Sequence, residues 1–173
     1  MRTCSLITSV YKYWSRCVTV YKLCGCGGTF DHLNIHEGHK LLLKTCFNLG
    51  EHVAIGLVTD EFVHKAKKEF ENLIEPYEER KRNILEYVRS LNPDYPNHCT
   101  IIPLNDPFGP AITDPNIEIH VSSEETYSVA MKINELRSKN GIPRMIIVII
   151  PLVLGEDGSR ISSTKIRKKM SEK

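Results

Sequence analysis

One stretch of the chain decides its fold: Gly27-Gly28-Thr29-Phe30-Asp31-His32-Leu33-Asn34-Ile35-His36-Glu37-Gly38-His39. A glycine pair ends an apolar segment, and a histidine pair opens a helical one. Paired glycines let backbone N–H groups approach an anion closely, and the N-terminus of the following helix adds unpaired N–H groups with a partial positive charge. His36 and His39 are three residues apart, so both project to the same side of a first helical turn. The stretch therefore predicts a phosphate site, with a loop at Gly27 and Gly28 and two imidazoles that donate to phosphoryl oxygens.

The spacing of the glycines disfavours two other kinds of nucleotide site. The series Gly25-x-Gly27-x-x reaches Phe30 where a dinucleotide-binding loop has its third glycine, and no Gly-Lys-Ser/Thr follows as a P-loop requires. Cys24 and Cys26, together with the two histidines, raise the alternative of a zinc site. Their spacing fits none of the usual zinc patterns, and they fall in an apolar segment, so small buried hydrophobes describe them better.

Apolar segments and helical periodicity alternate along the chain. Helices are predicted over Glu37–Leu49, with Gly50 as the stop, over Tyr77–Leu91, and from Ser123 onward. Strands are predicted over Val18–Cys26, His52–Thr59, His98–Leu104, Ile117–Val121 and Met145–Leu152. The last strand is apolar almost throughout, so we expect both of its faces to be covered. The alternation predicts a doubly wound (Rossmann-like) α/β sheet of about five parallel strands, with helices on both faces and ligands at the carboxyl ends of the strands.

Composition restricts the class of protein. At 173 residues the chain is expected to form one main domain, and a net charge of +2 gives no reason to expect a nucleic-acid partner. Six irregularly spaced cysteines predict reduced thiols in a cytoplasmic protein, and no window has the length and apolarity of a transmembrane helix, so no membrane partner is expected. Residues 1–20 contain no acidic residue. They are predicted to be an N-terminal extension, with a mitochondrial transit peptide as the alternative.

Three motifs, in a fixed order, carry a resemblance to a known family. The run Gly-Thr-Phe-Asp followed by His-x-Gly-His resembles the signature of the cytidylyltransferase-like nucleotidyltransferases, and the run 161–167, Ile-Ser-Ser-Thr-Lys-Ile-Arg, is similar to their triphosphate motif. Between them, Asn105–Pro110 and Val121–Tyr127 resemble the eukaryotic and archaeal type of phosphopantetheine adenylyltransferase. Because the matches span roughly residues 21 to 169, we predict that residues 21–173 form a nucleotidyltransferase domain.

The resemblance implies a reaction and its substrates. The enzymes of this type move AMP from ATP to 4′-phosphopantetheine, giving dephospho-coenzyme A and pyrophosphate, with Mg²⁺ on the triphosphate. A cytidylyltransferase or another adenylyltransferase is the alternative within the superfamily. A non-catalytic nucleotide- or coenzyme A-binding protein is the alternative from another class. It is motivated by Asn34 and Ile35, which intervene where the family passes directly to its first histidine, and which either form a bulge or displace the histidines.

The resemblance also implies site residues. It makes His36 and His39 the catalytic pair, on the nucleotide phosphates. The predicted ATP-binding residues are these two histidines with Gly27, Gly28, Ser122, Ser123, Ile161, Ser162, Ser163, Thr164 and Arg167. The predicted acceptor-binding residues are Thr29, Lys65, Lys67, Arg80 and Asn105. We predict no resident metal site, and a homo-oligomer is compatible with the sequence.

Overall fold

The computed structural model describes residues 20–31, 35–155 and 158–172. Its strands are β1 (Tyr21–Gly28), β2 (Gly50–Val58), β3 (Cys99–Leu104), β4 (Ile119–Ser123) and β5 (Ile146–Ile150). Its α-helices are α1 (Glu37–Leu49), α2 (Asp60–Lys65), α3 (Tyr77–Leu91), α4 (Tyr127–Lys139) and α5 (Ser163–Ser171), and short 3₁₀ turns lie at Glu71–Leu73, Tyr95–His98 and Gly109–Ile112. Of the predicted extension, residues 1–20, all but Val20 lie outside the described residues. None of these helices combines the length and the apolarity needed to cross a bilayer.

The five strands form one sheet in the order β3-β2-β1-β4-β5, and every neighbouring pair is parallel. This confirms the predicted doubly wound α/β fold. The winding reverses between β1 and β4, which opens a crevice at the carboxyl ends of these two strands. The glycine-rich stretch leaves β1 at that crevice.

The two faces of the sheet carry different side chains. On one face, alternate residues of the central strands are large and buried, among them Cys24, Val53, Ile55 and Ile119, and they form the main core with residues of α1 and α3. The alternate positions, which point to the other face, are Gly25, Gly27, Ala54 and Gly56. Small residues under α4 leave a volume beside the sheet that no side chain of these positions fills.

Two helix predictions are confirmed over their whole length, and two details of the elements are corrected. The predicted helices Glu37–Leu49 and Tyr77–Leu91 are α1 and α3. Gly50 is the C-cap of α1, as predicted, but its φ is −116° and it is also the first residue of β2, so no left-handed residue ends the helix. A Cβ there would lie 2.5 Å from the Cβ of Cys24, so close strand contact is what requires glycine at this position. The helix predicted from Ser123 begins four residues later, because Ser122 and Ser123 end β4 and a turn follows.

The expectation for the last strand is wrong. β5 is an edge strand, and Ile146 and Ile149 are 50% and 38% exposed. The run Ile146–Ile150 is the same apolar pattern that a central parallel strand shows. Its position at the edge is set by the strand order, which a local pattern does not encode.

Candidate active site

A cavity of about 650 Å³ opens at the carboxyl ends of the strands. Its wall contains the ends of β1, β4 and β5 and the first residues of α1 and α5. Two helix N-termini therefore face one crevice at the switch point of the sheet, an arrangement that favours a polyanion.

His36 is built into the N-terminus of α1. It is the N-cap residue, and its Nδ1 accepts the backbone N–H of His39 at 3.3 Å. A Cβ on Gly38 would lie 3.0 to 3.1 Å from the His36 ring, so glycine at position 38 makes room for the imidazole to fold back over the helix. Because Nδ1 accepts, a neutral His36 carries its proton on Nε2 and can donate from there.

His39 is held between two other rings. Its ring is stacked on that of His36 with centroids 3.7 Å apart, and the Phe30 ring lies 4.9 Å away on a tilted plane. Phe30 is fully buried and has a φ of 48°, in the left-handed region that a non-glycine residue adopts at a cost of about 1 to 2 kcal/mol. The turn after β1 therefore uses Phe30, rather than a glycine, as its left-handed residue, and this brings the Phe30 ring to His39.

The predicted glycine loop is accordingly corrected. Gly27 and Gly28 are the last residues of β1, and neither is among the glycines with positive φ. Both line the cavity. A Cβ on Gly28 would lie 3.3 Å from the Phe30 ring, so the pair contributes space at the crevice.

The second anion-binding element is the start of α5. Ser162 is its N-cap, with its hydroxyl accepting the backbone N–H of Lys165 at 3.3 Å. Ile161 is held beside the end of β5 by a backbone hydrogen bond from its N–H to Val153 O at 2.8 Å. The hydroxyl residues Ser163 and Thr164 follow at the first turn, and all four residues line the cavity.

A buried ion pair joins the two helix starts. Asp31 follows the β1 turn and Arg167 lies on α5, and their side chains are 2% and 5% exposed. Arg167 also donates to Glu69 O at 3.1 Å and to the Thr164 hydroxyl at 3.2 Å. Burial alone would raise the pKa of Asp31, but the hydrogen bond from Ser163 and the charge of Arg167 outweigh it and hold that pKa below its usual range.

Lys68 is the lysine that reaches the cavity. It is half-buried, its Nζ contacts the Thr29 hydroxyl, and burial lowers its pKa. Lys65 and Lys67, the lysines predicted from the sequence, are exposed and lie outside the cavity wall. Lys67 has a φ of 47°, and this left-handed residue turns the chain just before Lys68.

Three further predicted residues lie behind or beside the wall. Arg80 is completely buried, and it donates to Glu75 O, Thr29 O, Val58 O and the Asp60 carboxylate at 2.6 to 2.8 Å. It therefore fixes the backbone under Thr29, and it is not part of the cavity wall. Asn105 is exposed and accepts from Thr59, and Ser122 is buried with its hydroxyl 2.8 Å from that of Thr126.

The comparisons with known proteins agree with this geometry. The family model of cytidylyltransferase-like proteins matches residues 25–169 of this chain. The phosphopantetheine adenylyltransferase of Methanopyrus kandleri is 42% identical over 146 residues, which are 84% of this chain and 88% of that protein. That of Saccharomyces cerevisiae is 37% identical over 82% of this chain and 46% of the yeast protein. The chain belongs to the archaeal and eukaryotic phosphopantetheine adenylyltransferases of the cytidylyltransferase-like family.

Solved structures support the same fold. A protein of unknown function from Archaeoglobus fulgidus superposes with a TM-score of 0.63 at 28% identity, over 82% of this chain and 99% of that one. A pantoate-beta-alanine ligase from Francisella tularensis has a TM-score of 0.51 at 12% identity, covering 98% of this chain and 79% of the ligase. At 12% identity the likeness shows the fold alone.

The family motifs supply both histidines and the start of α5 in the cavity wall, but several titratable wall residues were not predicted as site residues, among them Lys68, Glu125, Arg160 and His120. Lys68 has a weak signal, as one of several neighbouring lysines. Glu125 and Arg160, which form a 2.6 Å ion pair, and His120 all line the cavity. Glu125 lies within the Val121–Tyr127 motif, whereas no local pattern marks Arg160 or His120.

The insertion before the histidines leaves both of them in the cavity wall. Ile35 is 3% exposed and belongs to the main core, whereas Asn34 lies outside the described residues. His36 and His39 both line the cavity.

Cys24 and Cys26 are the residues that raise the alternative of a zinc site. They lie with Cys46 in the main core, where burial raises the pKa of the Cys46 thiol. Within residues 20–31, 35–155 and 158–172, no three His, Cys, Asp or Glu side chains are grouped as metal ligands would be.

Proposed function

We propose that this chain transfers AMP from ATP to 4′-phosphopantetheine, which gives dephospho-coenzyme A and pyrophosphate. The observation that carries the proposal is the convergence of two helix N-termini, two histidines and Lys68 on one cavity, in a chain that is 42% identical to a phosphopantetheine adenylyltransferase. Two anionic substrates must be held together for this reaction, and a cavity with these groups suits that task.

The nucleotide phosphates are assigned to the helix starts. Ser163 and Thr164 offer hydroxyl and N–H groups at α5 for the β- and γ-phosphates, and His36 and His39 stand at α1 beside the α-phosphate. The phosphate oxygen of the acceptor attacks the α-phosphate in line, and pyrophosphate leaves. Negative charge grows on the phosphoryl oxygens as this occurs, so preorganised imidazole and N–H donors stabilise the transition state more than the bound substrates. Mg²⁺, which enters with ATP, neutralises charge on the leaving pyrophosphate.

The acceptor phosphate is assigned to Lys68 and Thr29. A protonated Lys68 supplies a point charge, and its contact with the Thr29 hydroxyl places both groups at the end of β1. Arg80 supports this site from behind, because its guanidinium donates to the carbonyl oxygen of Thr29 at 2.8 Å and so fixes the position of that residue. Lys65, Lys67 and Asn105 are not assigned a contact with the acceptor.

The experiment is pyrophosphate release from MgATP with and without 4′-phosphopantetheine. We expect turnover only with both substrates, a loss of at least about a hundredfold in kcat for His39→Ala, and no comparable rate with CTP. Turnover with CTP in place of ATP would make the protein a cytidylyltransferase. Binding of ATP or coenzyme A without pyrophosphate release would show a binding protein instead of an enzyme.

A lysine series tests the acceptor side. Lys68→Ala is expected to raise KM for 4′-phosphopantetheine by about tenfold or more, because a charge-assisted contact is worth about 1.5 to 3 kcal/mol. Lys44→Ala removes an exposed lysine on α1 and serves as the matched control, with KM unchanged. A larger effect of Lys65→Ala than of Lys68→Ala would contradict the assignment.

The remaining proposals concern context. We propose a reducing, cytoplasmic location, since Cys24, Cys26, Cys46 and Cys99 are free thiols. The homo-oligomer stays a prediction, to be checked by light scattering of the purified protein.

A further inference from the structure

Part of the cavity wall lies on the second face of the sheet, and we call this part the limb. It contains Gly25, Ile117, Ala130 and Ile133, which offer small or aliphatic surface. The polar side chain in this limb is His120 of β4, which is aligned with Gly25 of β1 in the sheet register. A mostly aliphatic wall that also carries an imidazole is suited to a ligand of the same composition.

His120 has a ring nitrogen that the protein itself does not satisfy. Its Nδ1 is buried and has no hydrogen-bond partner among the described residues. Burial also lowers the pKa of His120 to about 4, so the ring is neutral at physiological pH. A buried polar atom without a partner is costly and uncommon. Because His120 also lines the cavity, a turn of its ring toward the cavity would let a ligand supply that partner.

The space around this nitrogen depends on a glycine. A Cβ on Gly25 would lie 3.3 Å from Nδ1 of His120 and 3.2 Å from Cγ2 of Ile117. Both contacts are tighter than side chains usually make, so glycine at position 25 keeps the imidazole against the strand without crowding it. The limb is therefore shaped by the sheet as well as by α4.

Of the two substrates, the acceptor matches this limb better. Beyond its phosphate, 4′-phosphopantetheine is a chain of methyl and methylene groups with two amides and a terminal thiol. An adenine base carries donors and acceptors around its edge, and several of them would lose their partners beside a mostly aliphatic wall. An amide needs few partners, and a neutral imidazole can supply one.

We infer that His120 is an acceptor-specificity residue, which hydrogen-bonds an amide of the acceptor chain while Lys68 and Thr29 hold its phosphate. This inference rests on the proposed function and adds to it the part of the site that recognises the acceptor beyond its phosphate. His120 is at least three residues from the end of β4 and acts on binding, whereas the transferred group stays at the strand ends.

The test compares His120→Leu, His120→Asn and the control His52→Leu. His52 lies near the start of β2 and bonds Thr100 at 2.9 Å, on the same sheet but outside the cavity wall. We expect His120→Leu to raise KM for 4′-phosphopantetheine about tenfold with KM for ATP unchanged, and His120→Asn to restore much of the loss because its amide can replace the imidazole. The melting temperature of ligand-free His120→Leu should equal or exceed that of the unsubstituted protein, since an unsatisfied polar atom has been removed. The control should leave both KM values unchanged.

The outcomes separate this inference from the proposed function. If the unsubstituted protein turns over 4′-phosphopantetheine and His120→Leu leaves its KM unchanged, the inference is overturned and the proposed function stands. A rise in KM for ATP instead would place the nucleotide in the limb and overturn it as well. A lower melting temperature with unchanged KM would make the imidazole structural. If the unsubstituted protein neither turns over 4′-phosphopantetheine nor shows a thermal shift with it, the inference and the proposed function are both overturned.

Discussion

The buried ion pair between Asp31 and Arg167 gives the strongest prediction for stability. The two residues are 136 positions apart, and their side chains are almost completely enclosed. Asp31→Asn keeps the shape of the side chain but leaves the guanidinium without its counter-charge. Breaking a buried pair in this way costs about 3 to 5 kcal/mol, because the remaining charge is uncompensated. Since Arg167 keeps its bonds to Glu69 O and Thr164, we expect the lower end, about 3 kcal/mol.

The assay is urea unfolding followed by circular dichroism, at pH 7 and at several acidic pH values. Glu37→Gln is the matched control, because it removes an exposed ion pair to Lys40, with side chains 61% and 36% exposed, and should cost no more than about 1 kcal/mol. The pKa of Asp31 is lowered in the folded state, so its contribution is present above the unfolded pKa of about 3.9 and is lost as the pH falls through the folded pKa. The difference in free energy of unfolding between the unsubstituted protein and Asp31→Asn should therefore become smaller at acid pH.

Two results would refute this reasoning. One is that Asp31→Asn lowers the free energy of unfolding no more than Glu37→Gln does, which would mean that the pair is solvated in solution. The other is a double variant, Asp31→Leu with Arg167→Met, that is less stable than either single variant, since removing both charges should recover much of the loss.

Three further predictions follow from the site. Gly38→Ala should lower kcat about tenfold or more, because the new methyl group displaces the His36 ring. An ATP-induced thermal shift will show that the fold of this variant is intact. An unchanged kcat would contradict the capping role of His36. Arg80→Lys should lower the free energy of unfolding by about 2 to 4 kcal/mol in the same urea assay, because an ammonium cannot replace the four hydrogen bonds of a fixed guanidinium. An unchanged free energy of unfolding would mean that the buried network relaxes around the lysine. In a pH profile of kcat/KM for the acceptor, activity should fall as the pH rises through the lowered pKa of Lys68, and Lys68→Arg should move that fall to higher pH. If the profiles of the unsubstituted protein and of Lys68→Arg coincide, Lys68 does not bind the acceptor.

Local sequence pattern was sufficient for much of this fold. The bounds of α1 and α3 are predicted correctly because their apolar stripes and their neighbouring residues are all within one segment. The parallel sheet follows from the alternation of strands and helices, and the pairing of His36 with His39 follows from their spacing. Family resemblance then joined segments that are far apart in the chain.

Tertiary structure decided the rest, because those features depend on contacts between distant residues. The order of strands makes β5 an edge, although its sequence would suit a central strand. A left-handed backbone at Lys67 precedes Lys68 at the cavity wall, and neighbouring lysines look alike in the sequence. The resemblance predicts Arg80 and Arg167 as ligand-binding residues, and only the fold shows the carbonyl oxygens and Asp31 that surround them. The side-chain identities and spacings belong to the sequence, whereas burial and the choice of partners belong to the folded chain, since only folding removes those groups from water.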